Sequence, residues 1–161
     1  MGAFEDISAT LTSPMVIVTT RFGDEVDGCL VGFSTQCSID PRRYLVCLSV
    51  TNRTYELAQH ASTLVVHMLH DTPSDHALAS WFGEHTARDT DKLARCDWKP
   101  GPDGVPVLEG CDWFAGPVVH RCEAGDHVAY VIDVADGDAP RADEPWLLLD
   151  AVEDLDAGNP P

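Results

Sequence analysis

Basic residues are scarce in this sequence. Ten Lys and Arg are set against 27 Asp and Glu among 161 residues, so the formal net charge is −17. This sign is wrong for binding a nucleic acid or an anionic membrane surface, which excludes both as expected partners. Apolar runs are short as well, and none approaches the roughly 20 residues that cross a bilayer. We expect a soluble protein that would hold an anionic cofactor through local Arg groups and backbone N–H donors.

Metal-binding and disulfide patterns are also missing. The six cysteines are spread along the chain, none forms a C-x-x-C pair, and no basic and apolar leader precedes them. Such cysteines are typical of reduced thiols in a cytoplasmic protein. His67 and His70 lie three positions apart in a predicted strand, where odd spacing sends side chains to opposite faces. No metal site is therefore predicted.

The common catalytic and nucleotide-binding motifs are absent too. The chain has no G-x-G-x-x-G turn, no G-x-S-x-G elbow and no Walker loop, which disfavours the enzyme classes that depend on them. Ser34, Asp126 and His127 supply the residue types of a hydrolytic triad, but their spacing does not select them over other serines. The Asp126-His127 pair at a strand start also fits a turn-stabilising Asp beside a partly exposed His.

Short β-like segments are what the chain has in quantity. Their hairpin-like spacing, without regular strand-helix-strand alternation, predicts a β-dominated α+β fold, an antiparallel barrel with a few short helices in the connections. Gly116-Pro117 restricts one of the strands to an edge or a bulge. The predicted strands are Met15–Thr20, Cys29–Phe33, Tyr44–Val50, Leu64–Leu69, Trp113–Cys122, His127–Val134 and Trp146–Val152, and the predicted helices are Phe4–Leu11, Tyr55–Ala61 and Thr72–Gly83.

The length of the chain fits one domain, which we place at residues 1–152. The turn cluster Pro100–Pro106 lies inside this domain, because the segments on both sides of it are core-like. Residues 84–91 are polar and predict a surface loop. The acidic residues 153–161 are expected to form a disordered tail.

One stretch, Gly28–Tyr55, combines glycines with polar connections. Gly32 interrupts a strand, which marks either a bulge or a close approach of a ligand. The polar connection Ser34–Pro41 is predicted to be a rigid loop that presents donors, because Pro41 holds Asp40 extended. The turn Asn52-Arg53-Thr54 opens a helix and is compatible with a phosphate site and with a simple helix cap, and the turn alone favours the cap.

Several of these segments together resemble the flavin reductase family with the FMN-binding split-barrel fold. The resemblance covers about Ser13 to Val134 and depends on the order and spacing of its segments. Where the family has a Thr and paired Ser residues in its first flavin loop, this chain has Leu30, Gly32 and Phe33, and the family's Asp-Pro-Pro is Asp40-Pro41-Arg42. The segments that carry the resemblance are Ser13–Thr20, Gly28–Ser38, Ile39–Pro41, Tyr44–Ser49 and Gly125–His127.

The resemblance implies a cofactor site made mainly by backbone and shape. It places the isoalloxazine ring along Gly32–Ser38, with Gln36 near the polar edge of the ring. It also assigns His127 to positioning the hydride donor. The residues that it implies for flavin binding are Gly32, Phe33, Ser34, Thr35, Gln36, Cys37 and Ser38 at the ring, and Asn52, Arg53 and Thr54 at the phosphate.

The resemblance also implies a function. The expected activity is that of an FMN-binding flavin reductase that transfers hydride from NAD(P)H to flavin, with FAD as another candidate flavin. Members of the family bind flavin at a homodimer interface, so a homodimer is expected, and a partner monooxygenase could consume the reduced flavin. The alternative is a split-barrel protein that binds flavin, deazaflavin or haem, or an oxidase, without reducing free flavin. In a flavin enzyme the cofactor carries the redox chemistry, so the missing catalytic triad is no objection.

Overall fold

The computed structural model describes residues 2–84 and 91–152. Within these ranges the chain forms ten β-strands, three α-helices and three short 3-10 turns. In chain order the helices and strands are α1 (Ala3–Ser8), β1 (Val16–Phe22), β2 (Glu25–Val31), β3 (Ser34–Ser38), β4 (Arg43–Ser49), α2 (Arg53–Ala58), β5 (Thr63–Met68), α3 (Pro73–Glu84), β6 (Trp98–Pro100), β7 (Pro106–Leu108), β8 (Asp112–Glu123), β9 (His127–Asp133) and β10 (Asp136–Asp138), and the 3-10 turns are Leu93–Arg95, Pro102–Gly104 and Leu149–Val152.

One antiparallel sheet dominates the fold. Its strands run in the order β2-β1-β5-β8-β9-β4-β3, β10 is added to β8, and β6 and β7 form a separate pair. The sheet curls into a half-barrel that three short helices flank. This architecture confirms the prediction of a β-dominated antiparallel barrel with short helices in its connections.

Strand β8 connects the two halves of the sheet. Residues 112–117 pair with β5, whereas the residues from Val118 onward pair with β9, and the register shifts between Val118 and His120. The bulge that Gly116-Pro117 predicts is therefore present. The edge alternative does not apply, because β8 has β5 on one side and β9 on the other.

Alternating side chains on the strands form the main core inside the curl. In β9 every second residue is buried, as are Val46 and Leu48 of β4, and the residues between them are half-buried, which gives these strands an inner and an outer face. A second cluster lies beneath α3 and includes Phe82 and Leu147. Members of the main cluster that are at most 1% exposed include Val16, Val18, Val46, Leu48, Leu64, Val66, Tyr130 and Ile132.

The predicted last strand, Trp146–Val152, is wrong. Among the described residues, its first part makes only isolated bridges, from Leu148 to Pro14 and from Trp146 to His70, before the 3-10 turn begins at Leu149. We call residues 145–149 the C-terminal strap. Its main chain lies between the start of β1 and the end of β5: the Met15 N–H donates to Leu147 O at 2.7 Å, and the Leu147 N–H donates to Leu69 O at 2.9 Å. An apolar run in the sequence does not reveal that its main chain will bond to two different strands, at the start of β1 and the end of β5, instead of forming a regular ladder with one of them.

The polar connection after Phe33 is a strand over Ser34–Ser38, not a loop. Within the described ranges it forms the end of the sheet and pairs with β4 alone, with an irregularity between Gln36 and Ser38. Its side chains are mostly exposed, and an edge strand facing solvent carries no apolar alternation for a sequence pattern to detect.

Two predicted segments fall wholly or partly outside the residues that the structure describes. The predicted tail at 153–161 and residues 85–90 of the predicted surface loop lie outside the described residues. All six cysteines are free thiols in the structure. Within residues 2–84 and 91–152, no helix combines the length and the apolar character that crossing a membrane requires.

Candidate functional site

The outer face of β3, β4 and β9 brings together two residues that are distant in sequence. The carbonyl oxygen of Phe33 accepts the N–H of Cys47 at 2.9 Å, and Ser49 of the same strand pairs with His127. The rings of Phe33 and His127 are consequently in contact, with centroids 5.2 Å apart and planes inclined at 58°. The Phe33 side chain remains 57% exposed, so this aromatic pair is open to a ligand.

The segment from Gly32 to Ser38 presents an exposed polar edge beside that pair. Thr35, Gln36 and Cys37 are exposed, and the Gln36 amide donates to the nearby Ser38 carbonyl, at 3.2 Å. Ser34 differs, because its hydroxyl lies 2.8 Å from the Tyr44 hydroxyl in a partly buried position. That partner leaves no hydrogen bond from Ser34 to His127 among the described residues, so the structure gives no support to a hydrolytic triad.

Asp126 fixes the orientation of the His127 ring. The ring Nδ1 lies 2.7 Å from Asp126 Oδ1, and since a carboxylate accepts, Nδ1 carries the proton. This hydrogen bond, together with the charge of His127, lowers the pKa of the Asp126 carboxyl. The other ring nitrogen, Nε2, has no partner among the residues that the structure describes, and the side chain is 27% exposed.

Three successive residues at the start of α2, Asn52, Arg53 and Thr54, make different contacts. Asn52 Oδ1 accepts the Thr54 N–H at 3.0 Å, so Asn52 caps the helix. The Thr54 hydroxyl is buried and donates to Asp27 Oδ2 at 2.8 Å. Arg53 alone of the three directs its head group outward, where it lies 3.8 Å from Glu25 Oε2 with a quarter of its side chain exposed.

A buried charged pair lies behind this turn. Lys92 Nζ is 4.0 Å from Asp27 Oδ1, and both side chains are almost completely buried. The neighbouring Cys29 thiol has a pKa raised to about 11, chiefly by burial, while Lys92 and Thr54 act in the opposite direction. The thiol therefore stays protonated and is no nucleophile. The sequence contains no signal for this cluster, because Asp27 and Lys92 meet only through the fold.

Comparison with protein families gives this geometry its context. The model of the family described as Flavin reductase like domain matches residues 8–155. The chain belongs to this family. The resemblance drawn from the sequence is thereby confirmed, and so is the split-barrel fold that it implied.

Two curated relatives share 30% identity or less with this chain, and both are longer proteins. A protein of Rhizobium meliloti (strain 1021) named "Probable flavin reductase" is 29% identical over 134 residues, which is 80% of this chain and 40% of the relative. The "Stachydrine N-demethylase reductase subunit Stc3" of the same organism is 30% identical over 119 residues, covering 71% of this chain and 50% of the relative. The chain thus spans about half the length of these curated relatives or less.

A solved structure shows the same fold over nearly the whole chain. The flavin reductase domain protein from Arthrobacter sp. FB24 superposes with a TM-score of 0.80, at 21% sequence identity, over 93% of this chain and 91% of that protein. At this identity the likeness concerns the fold alone.

Proposed function

We propose that this protein is a flavin reductase that transfers a hydride from NAD(P)H to FMN, with FAD as a second candidate acceptor. The observation that carries the proposal is the outer face where Phe33 and His127 meet beside the exposed edge strand β3, in a chain that belongs to a flavin reductase family. We assign the ring-binding role to Gly32–Ser38.

The residues on this face fit a flavin ring. The isoalloxazine system needs hydrogen-bond donors along its pyrimidine edge and an apolar surface against its faces. β3 has no neighbour on one side among the described strands, so that side can supply main-chain groups. Phe33 supplies an exposed aromatic ring, and the exposed Gln36 supplies an amide. When bound, the flavin would provide the hydride-accepting chemistry. The chain itself binds and orients the reactants and stabilises developing charge with fixed donors.

His127 is the residue to which we assign positioning of the nicotinamide. Its Nδ1–H is committed to Asp126, so Nε2 can meet the polar group of a nucleotide that approaches the exposed side of Phe33. Replacement His127→Ala should lower kcat by about tenfold or more, because loss of orientation acts on the chemical step, and should change the Kd for FMN much less.

Stopped-flow reduction of the flavin-loaded protein by NADH and by NADPH would measure this effect. His120→Ala is a suitable control, since His120 is an exposed histidine on the neighbouring strand β8. A normal rate of reduction in His127→Ala would remove this residue from the nucleotide side of the site.

Arg53 is the residue that we propose for the flavin phosphate, and Asn52 and Thr54 form the turn that holds it. Because the Arg53 guanidinium is partly exposed and only loosely paired with Glu25, at 3.8 Å, it can turn to an incoming phosphate. Arg53→Ala should weaken FMN binding by about tenfold, the size of one charge-assisted hydrogen bond. Binding of riboflavin, which has no phosphate, should be unchanged.

Fluorescence titration of both flavins measures that difference. Arg21→Ala is the matched control, because Arg21 is another partly exposed arginine whose nearest carboxylate, that of Asp24, is 4.0 Å away. Equal loss of FMN and riboflavin affinity in Arg53→Ala would contradict a phosphate contact.

We extend the proposal to a homodimer that binds flavin at its interface. Between the buried inner residues of β4 and β9, the outer face carries the half-buried Leu45, Cys47, Ala129 and Val131. An apolar sheet face of this kind supports association with a second copy. A partner monooxygenase belongs to the same proposal, supported by the reductase-subunit name of one relative, and so does a cytoplasmic location, where NAD(P)H is supplied.

A steady-state assay tests the proposed function directly. Oxidation of NADH and of NADPH by the purified protein is followed at 340 nm with FMN, FAD or no added flavin. Flavin-dependent oxidation of either nucleotide is the expected result. Protein that binds flavin yet oxidises neither nucleotide would contradict the reductase and leave a flavin carrier or oxidase in its place.

A further inference from the structure

The hydroxyl of Ser13 forms a hydrogen bond to the first residue of the proposed flavin segment. It donates to the carbonyl oxygen of Gly32 at 2.7 Å in a partly buried position. Ser13 precedes β1, whereas Gly32 follows β2, so this bond closes the open end of the first hairpin. No flavin role attaches to Ser13 in the site described above.

The C-terminal strap supports Ser13 from behind. The Leu149 N–H donates to the Ser13 carbonyl at 2.8 Å. The Leu149 side chain also covers Gly32, because a Cβ added at Gly32 would lie 3.3 Å from Leu149 Cδ1. The strap is in turn bonded to Met15 and to Leu69. The main chain that carries Ser13 is therefore held in place beside Gly32.

This arrangement fixes the direction of one main-chain donor. The Gly32–Phe33 peptide is trans, and a planar trans peptide directs its C=O and N–H to opposite sides. Because the Gly32 carbonyl points to Ser13, the Phe33 N–H points away from it. The next carbonyl along the chain, that of Phe33, accepts the Cys47 N–H at 2.9 Å.

The Phe33 N–H itself has no acceptor among the residues that the structure describes. An unpaired donor is expensive unless water or a ligand satisfies it, and this one belongs to the residue whose exposed ring contacts His127. A main-chain donor that is unpaired and belongs to this exposed aromatic residue is the kind of group that can stabilise negative charge on a bound ring.

From these contacts we infer that Ser13 is a positioning residue, which orients the Gly32–Phe33 peptide so that the Phe33 N–H donates to the bound flavin ring. The inference rests on the proposed function. It also accounts for the apolar residues in this first loop, since a donor on the backbone does not depend on the side chains of Leu30 and Phe33.

The test is the variant Ser13→Ala, compared with Ser13→Thr, which keeps a hydroxyl. Thr12→Val is the matched control, because the Thr12 hydroxyl bonds to Asp150 Oδ1 at 3.1 Å and does not reach Gly32. Three quantities are measured: the Kd for FMN, the Kd for riboflavin and the reduction potential of the bound flavin. Thermal unfolding of each variant without flavin reports any purely structural effect.

Ser13→Ala is expected to weaken FMN and riboflavin by the same factor, about three- to tenfold, which corresponds to one neutral hydrogen bond. It should also make the potential of the bound flavin more negative, because the reduced, more negatively charged ring loses a donor. Ser13→Thr should restore both properties, and Thr12→Val should leave them at their wild-type values.

Two results overturn the inference and separate it from the proposed function. Wild-type affinity and potential in Ser13→Ala, with or without a lower unfolding temperature, would overturn the positioning role alone. Failure of Ser13→Thr to restore a loss seen in Ser13→Ala would do the same. Wild-type protein that binds neither flavin would overturn the proposed function, and the role of Ser13 with it.

Discussion

Gly116→Ala is expected to destabilise the protein by about 3 kcal/mol or more, which is a large part of the 5–15 kcal/mol that stabilises a typical domain. A Cβ placed on Gly116 would lie 1.6 Å from the carbonyl oxygen of Asp133 and 2.6 Å from its carbonyl carbon. No rotamer change relieves such an overlap, because both partners are main-chain atoms.

The backbone around Gly116 cannot easily move away. Gly116 pairs with Leu64 of β5 immediately before β8 passes from one half of the sheet to the other. Asp133 is held on the opposite side by its pairing with Arg43, whose Nε lies 2.7 Å from Asp133 Oδ1. Displacing either strand would break the junction at which the two halves of the curled sheet meet.

Denaturant unfolding of Gly116→Ala and of Gly32→Ala would measure the effect. Gly32 is the matched control, because its nearest contact is the end of a flexible side chain, Leu149 Cδ1, at 3.3 Å. Gly32→Ala should change the free energy of unfolding by less than about 1 kcal/mol. Similar losses in the two variants would show that the β8 junction tolerates a side chain and would contradict the steric argument.

The same junction shows how far the sequence alone could predict this fold. The Gly116-Pro117 pair predicts an interruption of a strand, and the interruption is present as the register shift after Val118. The reason for the glycine is not local, because the carbonyl that excludes a side chain belongs to the end of β9. A pattern in one segment therefore reveals an irregular strand but not its central position in the sheet.

Strands with one buried face were predictable, and strands without that contrast were not. In β4 and β9 the alternation of apolar residues follows the buried inner face, and both strands were predicted to within two residues. Strand β3 has no buried face to produce a pattern. The C-terminal strap is apolar, but its main-chain partners lie on two different strands, so it has the composition of a strand without its ladder.

In the candidate site, too, local interactions could be predicted from the sequence and contacts between distant segments could not. Capping by Asn52 is a local interaction within one turn, and the sequence predicts it from that turn. The contact of Phe33 with His127 and the bond from Ser13 to Gly32 join distant segments. Only the family resemblance placed the first pair at one site, and neither residue pattern nor resemblance identified Ser13.

His67 is expected to make the stability of the protein depend on pH through a single buried group. Its Nδ1 donates to the Ile17 carbonyl at 3.0 Å, and its Nε2 accepts the Leu108 N–H at 3.0 Å. Both bonds require the neutral ring, since a proton on Nε2 would oppose the Leu108 N–H. Complete burial lowers the pKa of His67 from 6.5 to about 4, against a smaller contribution from the bond to Ile17.

Because folding lowers the pKa of His67, the protein is expected to lose stability as the pH falls. Between pH 6.5 and about 4 the unfolded chain binds a proton at His67 that the folded protein does not, so stability is complete above pH 6.5 and falls as the pH is lowered. The total contribution is about 3 kcal/mol, at up to about 1.4 kcal/mol per pH unit.

His67→Phe should separate this effect from the titration of the carboxylates. At pH 7.5 the variant is expected to be less stable than the wild type by about 2–4 kcal/mol, because the Ile17 carbonyl and the Leu108 N–H lose a buried partner. The difference should shrink as the pH falls from 6.5 to 4, since only the wild type then incurs the cost of keeping His67 neutral. Urea unfolding of both proteins at half-unit pH steps measures it, and His60→Gln, at an exposed histidine, should follow the wild type throughout. A difference between wild type and His67→Phe that stays constant across this range would mean that His67 does not titrate differently in the folded and unfolded chains.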